Sequence, residues 1–446
     1  MSSYGDSSSA DTNGKARVVH TLAGSYLADE MVVALAYDSL ILAELVDWGA
    51  VPVLLAQDRD DRLGLGRVTL QADRAVAWLT SAHQDWVHTA RAAAEQDGYE
   101  PSDLDVMIRC LRLYFIDRFN GWVPEFGKNR IMSRVQGSYV VDGGGNDGGP
   151  RERPEYVLDN GAGGSAQHPP AGHSTILVPP RGAMPGDGVR VGVVDTRVAQ
   201  NPWLAGGYIA RGIEILPGQM RAPLPATVEH GTFVSGLIMR QAPGATVVFR
   251  QGLDDQASQD SWSVARIIAD LASNSTDVVN LSLGCLTDDN QAPLVLKYAL
   301  DALGPRTIAV AAAGNHGETS GGLTPSPAWP AALDAVVAVG AADGDHRASF
   351  SPDAPWVDAV APGVDVVSTV IPKGSGGSLF AAWSGTSFAA AAVSGAIAAR
   401  TALGKDAREA WACLQSDVAR DEHDRPVIPL APLGSRASHF TGAELS

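Results

Sequence analysis

Four short segments in the second half of the chain each end or begin an apolar run on a residue that can do chemistry. In VGVVDT the run delivers Asp195. In EHGTFVSGLI, His230 opens a helical pattern, with Gly231, Ser235 and Gly236 small enough for close packing. TIAVAAAGN runs through small residues to Asn315, and SGTSFAAAAVSG places Ser387 in the first turn of an alanine-rich helix. Each has an ordinary structural reading: a turn-forming aspartate or asparagine, a structural histidine, an N-cap serine. Together they meet one chemical demand. A serine hydroxyl becomes a nucleophile when a base lies within hydrogen-bond reach, a carboxylate orients that base, and a donor awaits the oxyanion.

The elements that must position these residues follow from the hydrophobic pattern. From Gly188 onward, short β-branched runs at 189–194, 246–249, 278–283, 307–312 and 335–339 alternate with helical stretches. That alternation predicts an α/β fold: a parallel sheet covered by helices on both faces. Such sheets bind ligands at the carboxyl ends of their strands, where Asp195 and Asn315 fall. The small-residue run 388–403 is too short to span a bilayer and reads as a buried helix.

In the chain order Asp, His, Asn, Ser, these segments and their flanks resemble the subtilisin-like serine proteases, the subtilases. The resemblance covers about 186–416. It extends to GDGVRVGVVDT, to NPWL at 201–204, QAPGA at 241–245, DVVNLSLG at 277–284, WPA at 329–331 and APG at 361–363. It implies Ser387 as nucleophile, His230 as general base, Asp195 as the group orienting the imidazole, and Asn315 with the Ser387 N–H as oxyanion donors. It also implies that Ser282, Leu283 and Gly284 pair with an extended substrate backbone, and that Ala312 and Gly314 border the first side-chain pocket. Two positions depart from the family pattern: Arg197 stands where glycine is usual, and Phe233 where a second histidine is common. Arg197 would either strain its turn or pair with Asp195. Asp254, Asp255 and Asp260 fall in a loop that often borders distant subsites, where they would attract a basic residue or simply be solvated. Many subtilases bind calcium, but between Thr196 and Val228 the only acid is Glu214, so no cofactor or metal is expected.

The 446 residues suffice for two or three domains. With 45% apolar and 19% charged residues the chain reads as folded and globular. Fifty acids against 33 bases give a net charge of −17, which excludes nucleic-acid and anionic-membrane partners. Cys110, Cys285 and Cys413 lie far apart without CxxC spacing, as reduced thiols would, and MSSYGDSSSADTNGK lacks the apolar core of a signal peptide. A cytoplasmic protein is expected. Five lysines among 33 basic residues, with abundant alanine and glycine, suggest a bacterial source.

Residues 1–14 are expected to be a disordered tail and 15–136 a small α+β module. The module reads as a strand at 17–21, a helix at 28–48, strands at 51–56 and 66–70, and a helix at 73–96. Ten glycines and four prolines within 137–172 mark a linker, placed at 137–182. The peptidase domain follows at 183–418 and a C-terminal tail at 419–446. The function expected is a serine endopeptidase acting on protein or peptide substrates through an acyl-enzyme. The alternative is a catalytically silent subtilase-fold scaffold with the N-terminal module as recognition partner. That module precedes the peptidase as inhibitory propeptides do in many subtilases. It therefore reads either as an intramolecular restraint, released by displacement or by a cut between Gly137 and Gly182, or as a separate recognition domain that leaves the site open.

Overall fold

A computed structural model of the chain describes residues 16–21, 24–96, 99–134, 155–156, 184–216, 226–317, 326–371, 379–401 and 406–432. The chain divides into two units. The first is Met1–Ile131 with Asp260–Trp262 and Thr287–Val295; the second holds Met132–Gln259, Ser263–Leu286 and Leu296–Ser446. The expected tail at 1–14 lies outside the described residues, as does the 137–182 linker apart from Glu155–Tyr156.

The first unit is an α+β module centred on the strand Gly24–Ala34, which pairs antiparallel with Val18–Thr21, Leu65–Thr69 and the start of Phe126–Arg134. The helix expected at 28–48 begins only at Asp38. Met31, Val32 and Val33 are fully buried with neighbours on both edges, a setting that suits β-branched side chains better than a helix does. The strand expected at 51–56 reduces to a single bridge between Val53 and Thr69. The helix expected at 73–96 is two, Ala72–Ala82 and Gln84–Gln96, separated by His83 in a non-helical conformation and stacked on Trp86 at 4.3 Å. The helix Asp103–Arg118 and the strand Phe126–Arg134 were not expected. The helix opens with a reciprocal capping box between Ser102 and Asp105. Lys128 reaches both Asp105 and Asp288, while Arg130 reaches Asp288 and Asp289. Burial alone would push the Asp288 carboxyl up, but these two cations outweigh it and hold the group well below the usual carboxylate range.

The second unit carries the parallel sheet. In spatial order its strands are Tyr208–Ile209, Thr246–Gln251, Arg190–Asp195, Val278–Leu281, Ile308–Ala312, Val336–Asp343 and Ala359–Pro362. The five longest are nearly all buried β-branched and alanine side chains, which is why the apolar runs located them. The helices His230–Gln241 and Thr386–Arg400 meet through small residues. A Cβ on Gly395 would fall 2.6 Å from the Gln241 Cβ and 2.7 Å from the Ile238 carbonyl, so only glycine permits this approach. The stretch expected as a tail from 419 instead belongs to the unit as far as 432. Ile428 is fully buried in the core, exchanges backbone hydrogen bonds with the Val360 region, and so extends the folded unit. Among the described residues, no helix is long and apolar enough to cross a membrane.

Candidate active site

Asp195 ends its strand with no solvent exposure. Its Oδ1 accepts hydrogen bonds from the Thr196 N–H at 2.7 Å and from the Thr196 hydroxyl at 3.3 Å. His230, the first residue of its helix, donates from Nδ1 to both carboxylate oxygens, at 2.8 and 2.9 Å. Because an ionised carboxylate only accepts, Nδ1 carries the proton, and in the neutral ring Nε2 keeps the lone pair. The helix start is held close by the Gly231 N–H, which donates to the Thr196 hydroxyl at 3.1 Å. A Cβ on Gly231 would lie 2.7 Å from the Arg197 carbonyl and 2.8 Å from the Phe249 ring, which explains the glycine beside the histidine.

Neither expectation for Arg197 holds. Its φ is not positive, and its Nε lies 3.2 Å from Asp255 instead of pairing with Asp195. Phe233 packs against Phe388 at 4.5 Å and Trp383 at 5.6 Å between centroids. The same two rings stand 5.4 and 5.8 Å from His230, so Phe233 extends an aromatic wall behind the imidazole.

Ser387 is the second residue of its helix and is buried. Its hydroxyl donates to the Ser282 carbonyl at 3.3 Å, while the Ser282 hydroxyl donates to the Ser387 carbonyl at 2.8 Å. Among the described residues, no hydrogen bond joins Ser387 to His230. The Ser282 hydroxyl also accepts from Asn280 Nδ2 at 2.9 Å, and Asn280 Oδ1 accepts from the Ser394 hydroxyl at 3.0 Å. This buried chain ties the serine-bearing helix to the strand Val278–Leu281. Asn315 is clamped through its oxygen: Oδ1 accepts from the Thr386 N–H and hydroxyl, both at 2.9 Å, and the Thr386 hydroxyl accepts from the Gly314 N–H at 3.2 Å. With the oxygen end so occupied, the amide orientation is set and Nδ2 lies beside Gly385, 3.6 Å from where a Cβ there would stand. Ala312 ends the strand Ile308–Ala312 and is buried; Gly314 has φ +111°, and a Cβ on it would meet the His316 ring at 2.5 Å.

The edge formed by Leu283–Gly284 is paired. In the second unit, Ser133 stands opposite Gly284 and Arg134 opposite Leu283, antiparallel, and the Arg134 N–H donates to the Ala257 carbonyl at 3.2 Å. Met132 and Arg134 are buried and Ser133 half-buried. The Arg134 guanidinium lies 5.9 Å from the Trp383 ring centroid. Sequence reading missed this strand, and it missed Thr196, Asn280 and Thr386. Asn280 did carry a signal, as the one polar residue inside the run 278–281. Glu214, the acid weighed as a metal ligand, is buried, accepts from the Arg211 N–H and lies 3.9 Å from Arg250. Among the described residues, no group of three or more His, Cys, Asp or Glu side chains could hold a metal, so the residues present do not fit a calcium site.

Comparison with known proteins matches residues 186–412 to the subtilase family. The thermophilic serine proteinase of Bacillus sp. (strain AK1) is 32% identical over 230 residues, 49% of this chain and 53% of that protein. Subtilisin Savinase of Lederbergia lenta is 33% identical over 267 residues, 56% of this chain and 89% of that one. The chain thus spans about half the length of the first of these relatives. In fold, the chain is similar to fervidolysin from Fervidobacterium pennivorans, with a TM-score of 0.55 and 18% identity over 93% of this chain and 63% of that one.

Proposed function

The chain belongs to the subtilase family, and on that premise we propose that it is a serine endopeptidase that cleaves peptide bonds through an acyl-enzyme. The observation that carries this reading is the buried Asp195–His230 pair, which leaves the imidazole Nε2 as the proton acceptor in the unit that holds Ser387 and Asn315. In catalysis the Ser387 hydroxyl leaves the Ser282 carbonyl, gives its proton to Nε2 and adds its oxygen to the scissile carbonyl. Asn315 Nδ2 and the Ser387 N–H donate to the resulting oxyanion. His230 returns the proton to the leaving amine as the C–N bond breaks, and water repeats the sequence on the ester. Asp195 stays ionised throughout and stabilises the imidazolium.

The substrate backbone pairs with Leu283–Gly284 by strand addition. Because residues 133–134 of the same chain are paired there, the reading includes a restraint in cis: the segment that follows the N-terminal module occupies the edge a substrate needs. This favours restraint over a recognition domain that leaves the site open. The test compares hydrolysis of an unstructured protein by wild type and by Ser387→Ala, with products identified by mass spectrometry. Loss of all cleavage in a folded Ser387→Ala protein is expected; equal cleavage would overturn the assignment.

A further inference from the structure

The strand at 132–134 is seated from both edges: Ser133 and Arg134 stand opposite Gly284 and Leu283, and the Arg134 N–H donates to the Ala257 carbonyl. Side chains on such a strand alternate, and Met132 and Arg134 are the two turned into the unit, the latter 7% exposed. A buried arginine is costly unless its surroundings favour the cation. One surrounding group is the Trp383 ring, 5.9 Å from the guanidinium, itself 1% exposed and fixed edge-on against His230 and Phe233. Indole is the best cation–π acceptor among the side chains, and the arginine plane fits it better than an ammonium does.

Where Arg134 sits relative to the chemistry follows from the register. Ser387 Oγ rests on the Ser282 carbonyl, so a residue opposite Ser282 presents the carbonyl that is attacked. The residue opposite Leu283 comes immediately before it. The acids that sequence suggested might attract a basic side chain are engaged locally. Asp254 accepts from the N–H groups of Gln256 and Ser258, Asp255 faces Arg197, and Asp260 accepts from Asn129.

We infer that the position opposite Leu283 is a subsite for a basic side chain, with Trp383 as its recognition surface, so that preferred substrates carry arginine immediately before the residue whose carbonyl is attacked. This deepens the proteolytic reading above and rests on it. Trp383 is a specificity residue here: it touches the substrate side chain and takes no part in bond making. Arg134 then holds the cleft-bound strand by the same contact that a substrate arginine uses.

The test uses the full chain and the rate at which a fluorophosphonate probe labels Ser387. Three extended peptides compete with the probe, identical except for arginine, citrulline or leucine at that position; citrulline keeps the shape of arginine without its charge. The arginine peptide should halve the labelling rate at about tenfold lower concentration than the citrulline peptide. Trp383→Leu should bring that ratio to about one, and Trp383→Phe should retain part of it, which a merely structural role for the ring would not produce. Equal competition by arginine and citrulline in wild type, or an unchanged ratio in Trp383→Leu, overturns the subsite while leaving the protease intact. Absence of labelling in wild type overturns the proteolytic reading, and this inference falls with it.

Discussion

Replacing Thr386 by valine tests how the oxyanion donor is held. The Thr386 side chain is fully buried, donates its hydroxyl to Asn315 Oδ1 at 2.9 Å and accepts from the Gly314 N–H at 3.2 Å. Valine keeps the shape but removes both hydrogen bonds, each worth about 1 kcal/mol net, and strands the Gly314 N–H in the interior, where an unmade bond costs about 1–3 kcal/mol. A loss near 3 kcal/mol lowers Tm by roughly 6–12 °C for a unit of this size. Asn315 keeps its second bond, from the Thr386 N–H at 2.9 Å, so its amide loosens without losing its direction. If about 1 kcal/mol of that loosening reaches the transition state, kcat falls about fivefold with KM unchanged. Differential scanning calorimetry and peptide kinetics on wild type, Thr386→Val and Thr386→Ser read both effects, and the serine variant, which retains the hydroxyl, should recover most of each. A Tm within about 2 °C of wild type, or a valine variant no better than Asn315→Ala, would refute the clamp.

Asn315→Ala should lower kcat by about 10²–10³ with little change in KM, because the donor acts mainly on the oxyanion; steady-state kinetics showing a KM effect alone would place Asn315 in ground-state binding. Asp288→Asn, which leaves the buried Lys128 and Arg130 short of a counter-charge, should cost about 3–5 kcal/mol by denaturant unfolding. The pH dependence follows from the same pair. Asp288 has a folded pKa below its unfolded value of about 3.9, so its contribution is present above about pH 4 and is lost as the pH falls further. Unfolding measured from pH 7 to pH 3 should therefore be steeper for wild type than for Asp288→Asn, and parallel curves would count against the network.

The peptidase strands were legible in the amino-acid order because each is a run of buried β-branched or small residues, a pattern that fully covered parallel strands produce. The polar residues closing those runs stood out for the same reason, which is how Asp195, Asn315 and Ser387 could be picked before any geometry was known. The strand Phe126–Arg134 escaped because its pattern is inverted: Lys128, Arg130 and Arg134 are buried while Ile131 is only half-buried. Burying those cations depends on groups remote in sequence, Asp288 for the first two and Trp383 for the third. No local window of sequence contains such partners. The helix expected at 28–48 failed through a competition between periods: the apolar residues suit either element, and pairing on both edges selected the strand. Thr386 sat unnoticed beside Ser387 because an N-terminal threonine ordinarily serves its own helix, whereas this one reaches across to Asn315.

The central claim is that His230, oriented by Asp195, activates Ser387. It is tested most directly by treating the intact chain with a fluorophosphonate and locating the adduct by mass spectrometry, in wild type and in folded His230→Ala and Asp195→Asn proteins. One phosphonyl group on Ser387 in wild type is the expected result, with labelling abolished in His230→Ala and slowed by orders of magnitude in Asp195→Asn. Labelling on another residue, or labelling of Ser387 at an undiminished rate without His230, would contradict it.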